Sequence, residues 1–186
     1  MIRGAIRIVA AVAGASVVAD RLLAAARASS PPVSSLAVID APAERVWQEL
    51  VDVEGQPRWM HDLKSVAIET PAPIGVGTRA VGTIRMFGLG TADPVVITAF
   101  DAPRRFAIEH DGLFTGSGEF RLEPGVDGTT TIVRWDERLV APILPALAAV
   151  VLEPVFRAIF QADLHRLRRL VESGDPEREV AAAQAA

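Results

Sequence analysis

The spacing of apolar positions divides this chain into an apolar opening segment, a string of short alternating segments and one long closing helix. Residues 33–40 are mostly apolar and predict a strand, stopped at Ala41-Pro42 because proline brings no N–H to a ladder. Pro42 suits the first turn of a helix, Glu44 meets its positive end, and Val46, Trp47 and Leu50 form its apolar face. Glu54-Gly-Gln-Pro57 predicts a break, and residues 58–62 a second short helix. Further strands are predicted over residues 63–70, 78–87 and 94–100, over the segment that puts Phe106, Ile108 and His110 on one face, and over 115–123 and 129–139. The turns fall at Gly88-Leu-Gly90, Asp101-Ala-Pro103, Asp111-Gly112 and Pro124-Gly-Val-Asp-Gly128.

Alternation sets Gly116, Gly118, Phe120 and Leu122 on one face of their strand, and Val133, Trp135, Glu137 and Leu139 on one face of the last. Residues 142–171 close the chain as a helix. Leu152, Phe156, Phe160, Leu164 and Leu167 recur at three and four, with Arg157, Gln161, His165 and Arg168 on the wet side. Pro154 predicts a kink or a division, and the apolar stretch 143–152 needs a cover. Gly174-Asp175-Pro176 ends the helix and residues 173–186 predict a disordered tail. Seven strands joined by tight turns, with the main helices before and after them, predict an α+β fold with an antiparallel sheet rather than βαβ units.

Residues 1–28 stand apart. Arg3 and Arg7 precede an uncharged run from Ile8 to Ala19; Asp20-Arg21 interrupts it, and the apolar character resumes to Ala26. A spanning helix wants roughly 20 apolar residues, and a charge near the bilayer centre costs ~2.5–3.5 kcal/mol. The segment reads as a membrane anchor with Asp20-Arg21 at the headgroups, as a secretory signal cleaved near Val17-Val-Ala19, or as an Ala-rich helix on a soluble domain. The polar, proline-containing linker over residues 29–35 favours attachment to a membrane over packing in the core. The expected location is therefore membrane-associated, on a side left open, with a cytoplasmic protein as the alternative.

Composition narrows the partners. Half the residues are hydrophobic, only 5% are aromatic, tyrosine is absent and the net charge is −4, a poor match to a phosphate backbone, so no nucleic-acid partner is expected. Without cysteine there are no disulfides, thiolate nucleophiles or Cys-ligated metals. No Gly-x-Ser-x-Gly, no Gly-x-x-x-x-Gly-Lys and no His-Glu-x-x-His occurs. The three histidines lie far apart, and His61 and Asp62 are too close in sequence to face one ion together; no metal and no cofactor is expected.

The run Ile39-Asp-Ala-Pro-Ala-Glu-Arg-Val-Trp47 resembles the opening signature of the polyketide cyclase/dehydrase and lipid-transport proteins, members of the START-like, helix-grip superfamily. Trp59, the turn Gly75-Val-Gly-Thr78 and the strand Gly128-Thr-Thr-Thr-Ile-Val-Arg-Trp135 are similar to further words of that family. The resemblance covers residues 34–172. It implies a domain over residues 36–172 with a curved sheet around a long C-terminal helix and a cavity between them. It carries over no catalytic residue.

Polar groups facing such a cavity are the candidates for chemistry. Glu137 shares the inward face of the last strand, where burial raises a carboxyl pKa and suits it to acid or base work. His110 follows Phe106 and Ile108 inward and could donate to a carbonyl or take a proton. Thr83 and Arg85 are candidates whose face alternation leaves open; an inward Arg would suit a carboxylate or phosphate. His61 lies near the expected mouth. With Trp59, Gly118, Phe120, Trp135, Phe156 and Phe160 these make the expected ligand-binding set. Three functions follow: binding or transport of a hydrophobic small molecule (lipid, quinone or isoprenoid-like), a cyclase or dehydratase using Glu137 or His110, or a module that docks on a protein or membrane through residues 143–152.

Overall fold

A computed structural model of the chain describes residues 2–27, 30–86 and 88–174. Phe87 at the end of a predicted strand, residues 28 and 29 around the start of the linker, and residues 175–186 of the predicted tail lie outside them. Helix α1 (Ile2–Ala26) precedes β1 (Val33–Ile39), α2 (Ala43–Val51) and a 3-10 helix (Val53–Arg58). Six strands follow: β2 (Leu63–Ile68), β3 (Arg79–Met86), β4 (Leu89–Asp101), β5 (Arg105–Asp111), β6 (Thr115–Pro124) and β7 (Thr131–Val140). Helix α3 (Pro145–Glu172) ends the fold.

The sheet is curved, and its order is β1-β7-β6-β5-β4-β3-β2, antiparallel throughout. The last strand pairs with the first, Ser35 opposite Trp135 and Val33 opposite Glu137, so α2 and the 3-10 helix must carry the chain across the sheet from β1 to the far edge. Both helices and α3 lay their apolar stripes on the same side. Ile39, Val46, Leu50, Trp59, Val133, Leu164 and Leu167 are all 0% exposed there. Asp163, buried on α3, accepts the backbone N–H of His61 at 3.1 Å and a guanidinium N–H of Arg166 at 2.5 Å, which fixes the turn behind Trp59 against the helix.

Several boundaries differ from expectation. The expected break at residues 54–57 is itself the 3-10 helix, and no second helix occupies 58–62. Pro57 lacks the N–H an α-helix would need, and the tighter turn closes on Gly55 N–H to Asp52 O. Strand β4 starts at Leu89, not residue 94. Its pairing with β5 begins only at Val95, so Pro94 has one strand neighbour and its missing donor is tolerated. Helix α3 starts at Pro145 and runs unbroken through Pro154, which is exposed and leaves the freed carbonyl of the preceding turn on the wet side.

Candidate functional site

The space between sheet and α3 is largely filled by rings. Phe120 stacks on Trp135 with centroids 4.7 Å apart, Trp135 meets Phe160 at 4.5 Å, and Phe160 stacks on Phe156 at 5.7 Å. Trp59 closes the inner end, edge-on to Phe120 and Trp135 at 6.1 and 6.4 Å. Alternation on β6 and β7 delivers Phe120 and Trp135, and the i, i+4 step on α3 delivers Phe156 and Phe160.

A row of polar groups lies beside these rings. Trp135 Nε1–H donates to Glu137 Oε2 at 2.7 Å. Glu137 Oε1 lies 3.0 Å from His110 Nε2, close enough for an ion pair but without hydrogen-bond alignment. His110 Nδ1 lies 2.8 Å from Asp93 Oδ2. The side chains of His110 and Glu137 are 12% and 5% exposed. Burial works against a charged imidazole here, yet the two flanking carboxylates, Asp93 first and then Glu137, outweigh it and raise the His110 pKa from 6.5 to about 10. At neutral pH His110 is therefore an imidazolium with no free lone pair, which removes it as a general base.

The register explains how three strands bring these groups together. His110 sits opposite Gly116, and Gly118 sits opposite Glu137. A Cβ on Gly118 would stand 2.4 Å from Glu137 Oε2, and one on Gly112 would stand 2.7 Å from Asp93 Oδ1. Each carboxylate occupies room left by a glycine without a side chain, Gly118 on β6 for Glu137 and Gly112 just past β5 for Asp93.

Open space remains at one end of the ring stack, where a cavity of about 190 Å³ opens beside the first turns of α3. Its walls include Glu137 and Leu139 from β7, Leu152 and Phe156 from α3, and Ala24 and Arg27 from α1 and its end. Helix α1 thus packs on the domain instead of standing off from it. Asp20, only 6% exposed, accepts the backbone N–H groups of Ala146 and Leu147 at 2.9 and 3.0 Å. It caps α3, whose own N-cap residue, Leu144, supplies no side-chain acceptor. Arg27 pairs with Glu153 at 2.5 Å. The two attachments have the same offset along both helices, so α1 and the start of α3 run side by side in the same direction.

Of the sequence candidates, Trp59, His110, Gly118, Phe120, Trp135, Glu137, Phe156 and Phe160 gather in this ring-and-carboxylate assembly. Glu137, Phe156 and Phe160 line the cavity itself. Thr83 and Arg85 do not reach it. Both are exposed on the outer side of β3, whose inner side carries Ala80 and Gly82. His61 is exposed at the turn before β2, so it greets nothing in the cavity. Asp93 escaped the sequence reading because the predicted strand began one residue after it; Arg27 and Asp20 escaped because they lie in the segment read as an anchor. Among the described residues no group of acidic and histidine side chains could hold a metal ion.

A curved seven-stranded antiparallel sheet gripping one long helix places the molecule in the helix-grip class of α+β proteins. The chain belongs to the family described as "Polyketide cyclase / dehydrase and lipid transport", whose model matches residues 32–172. Solved structures share the fold. One is a protein from Thermus thermophilus, with 22% identity, 77% of this chain and 98% of that chain covered, and a TM-score of 0.62. The Zhui aromatase/cyclase from a Streptomyces species has 21% identity, coverage of 75% and 92%, and a TM-score of 0.62. A conserved protein from Geobacillus kaustophilus has 12% identity, coverage of 75% and 94%, and a TM-score of 0.61. No curated protein matches the chain. The whole segment up to Arg27 precedes the matched residues, so Ala24 and Arg27 add a wall from outside the family domain.

Proposed function

We propose that the chain binds a hydrophobic small molecule in the cavity between β7, α1 and the first half of α3. The observation that carries this is the cavity's make-up: mostly aromatic, aliphatic and proline walls that also carry Arg27, Arg138 and Glu153, with one deeply buried carboxylate, Glu137. An environment-sensitive apolar dye such as ANS tests it. Wild type should bind it saturably at one site, and Ala149→Trp, which fills the cavity from α3, should abolish that binding; equal binding by both would contradict the reading.

The outer side of α1 supports loading at a lipid surface. Val12, Val17, Val18 and Leu22 are 50–69% exposed. The only acid of α1, Asp20, is turned inward, and the helix's remaining exposed charge among the described side chains is Arg21. Such an apolar face suits a bilayer interface. In this reading the helix rests on the surface; among the described residues no helix is long and apolar enough to cross a membrane.

A second reading, a cyclase or dehydratase, draws on the Asp93–His110–Glu137 row. The protonated His110 would supply an acid, and Glu137 would receive a proton from a carbon next to a carbonyl. Glu137 Oε2 is already engaged by the indole N–H of Trp135 at 2.7 Å, which favours binding over turnover.

A further inference from the structure

Helix α1 is held to the domain by polar contacts and almost no apolar burial. Of the side chains described over residues 12–27, Asp20 alone is buried. Ser16, Leu23 and Arg27 share its stripe and are half-buried, and the rest are exposed. The grip consists of the Asp20 carboxylate on the amides of Ala146 and Leu147, at 2.9 and 3.0 Å, and of the half-exposed Arg27–Glu153 pair. A half-exposed ion pair adds little to such a grip. Below the helix the chain is fixed again, because the Ser30 carbonyl accepts an N–H of Arg138 at 2.8 Å.

The two Asp20 hydrogen bonds are also the cap of α3. Leu144, at its N-cap, lies in the left-handed region with φ 46° and offers no acceptor. The turn that Asp20 caps is cavity wall: Pro145, Ala146 and Ala149 line the space, as do Ala24 and Arg27. Lifting α1 therefore takes away one wall and uncaps a second. With α1 docked the cavity measures about 190 Å³, below the ~300–1,000 Å³ usual for a site that encloses a small organic ligand. A larger ligand needs a wall to give way. The walls at Phe156 and Phe160 belong to the core cluster with Trp135 and Leu164, whereas α1 can leave without breaking that core.

On the reading of the cavity as the binding site, we propose that α1 is a strap across it, latched by Asp20. Docked, the strap limits the space; released, it swings from the root at Ser30 and admits a bulkier apolar ligand.

The test locks the strap. The chain has no cysteine, so Arg27→Cys with Glu153→Cys gives two unique thiols, which a short bis-maleimide bridges. The same double variant with each thiol capped by N-ethylmaleimide is the unlocked twin. ANS should bind the bridged chain at least about tenfold more weakly than the twin, since apparent affinity scales with the open fraction. Equal or tighter binding by the bridged chain would overturn the strap and leave the cavity as the site. Absence of ANS binding by wild type would overturn the cavity reading and the strap with it. Should the capped thiols obstruct the cavity, Asp20→Ala decides, because Asp20 lies outside its lining. It should bind ANS about threefold or more tighter than wild type, a gain that adding Ala149→Trp abolishes. An unchanged affinity, or a gain that survives Ala149→Trp, would overturn the strap.

Discussion

Between pH 6.5 and 10 the folded state should lose a large part of its stability through one imidazole. His110 binds its proton with a pKa of about 10 in the folded chain against 6.5 as the ordinary value. Below 6.5 both folded and unfolded chains hold the proton, and the stabilisation is fully present. Above 6.5 the unfolded chain releases it first, so stability falls as pH rises through the folded value. At ~1.4 kcal/mol per pH unit, the gap corresponds to roughly 5 kcal/mol, comparable to the whole stability of a marginal domain. The composition makes the measurement clean. Cysteine and tyrosine are absent and Lys64 is the only lysine, so little else titrates in this window. His61 and His165 are exposed. Urea denaturation at half-unit steps from pH 6 to 10.5 should show the fall, and His110→Asn should flatten it. The ring protons of His110, followed by NMR, should titrate near 10. A flat stability profile, or an imidazole titrating near 6.5, would refute the ion-paired arrangement of Asp93, His110 and Glu137.

Three substitutions probe the supports of the site. Gly118→Ala sets a Cβ 2.4 Å from Glu137 Oε2, so the carboxylate must move off Trp135; a loss of about 1–3 kcal/mol and a shifted tryptophan emission are expected. Asp20→Ala removes two hydrogen bonds to the start of α3 and should cost about 0.5–2 kcal/mol, with faster tryptic cleavage after Arg21 and Arg27 as α1 lifts. Unchanged cleavage would mean that α1 is held by other contacts. Leu164→Ala, at a position 0% exposed between α3 and the sheet, should cost about 2–5 kcal/mol in denaturant unfolding, with the larger figure if the rings do not collapse into the gap.

The fold was legible where two periods ran cleanly. The two-residue alternation of Phe120 and Leu122 on one strand, and of Val133, Trp135 and Glu137 on another, named the inner faces correctly because both strands bury one side only. It left the face of β3 open because the inner side there carries Ala80 and Gly82, while the apolar Val81 points the other way. Glu137 and His110 could each be singled out, but not their 3.0 Å approach. That depends on the register of two strand pairs and on Gly118 having no side chain. Asp20 shows the other limit. In sequence it is a charge that spoils an apolar run; in the fold it caps a helix 126 residues away, a pairing no local pattern encodes. The same residue that argued against a spanning segment is the one that fastens α1 to the cavity.

The most direct measurement is native mass spectrometry of the full chain after incubation with a total lipid extract, alongside Ala149→Trp. The expected result is a single one-to-one adduct on the wild-type chain, absent from the variant, with an apolar molecule recovered on extraction. An unliganded wild-type mass, or adducts that the filled cavity leaves unchanged, would contradict a hydrophobic ligand held beside Glu137.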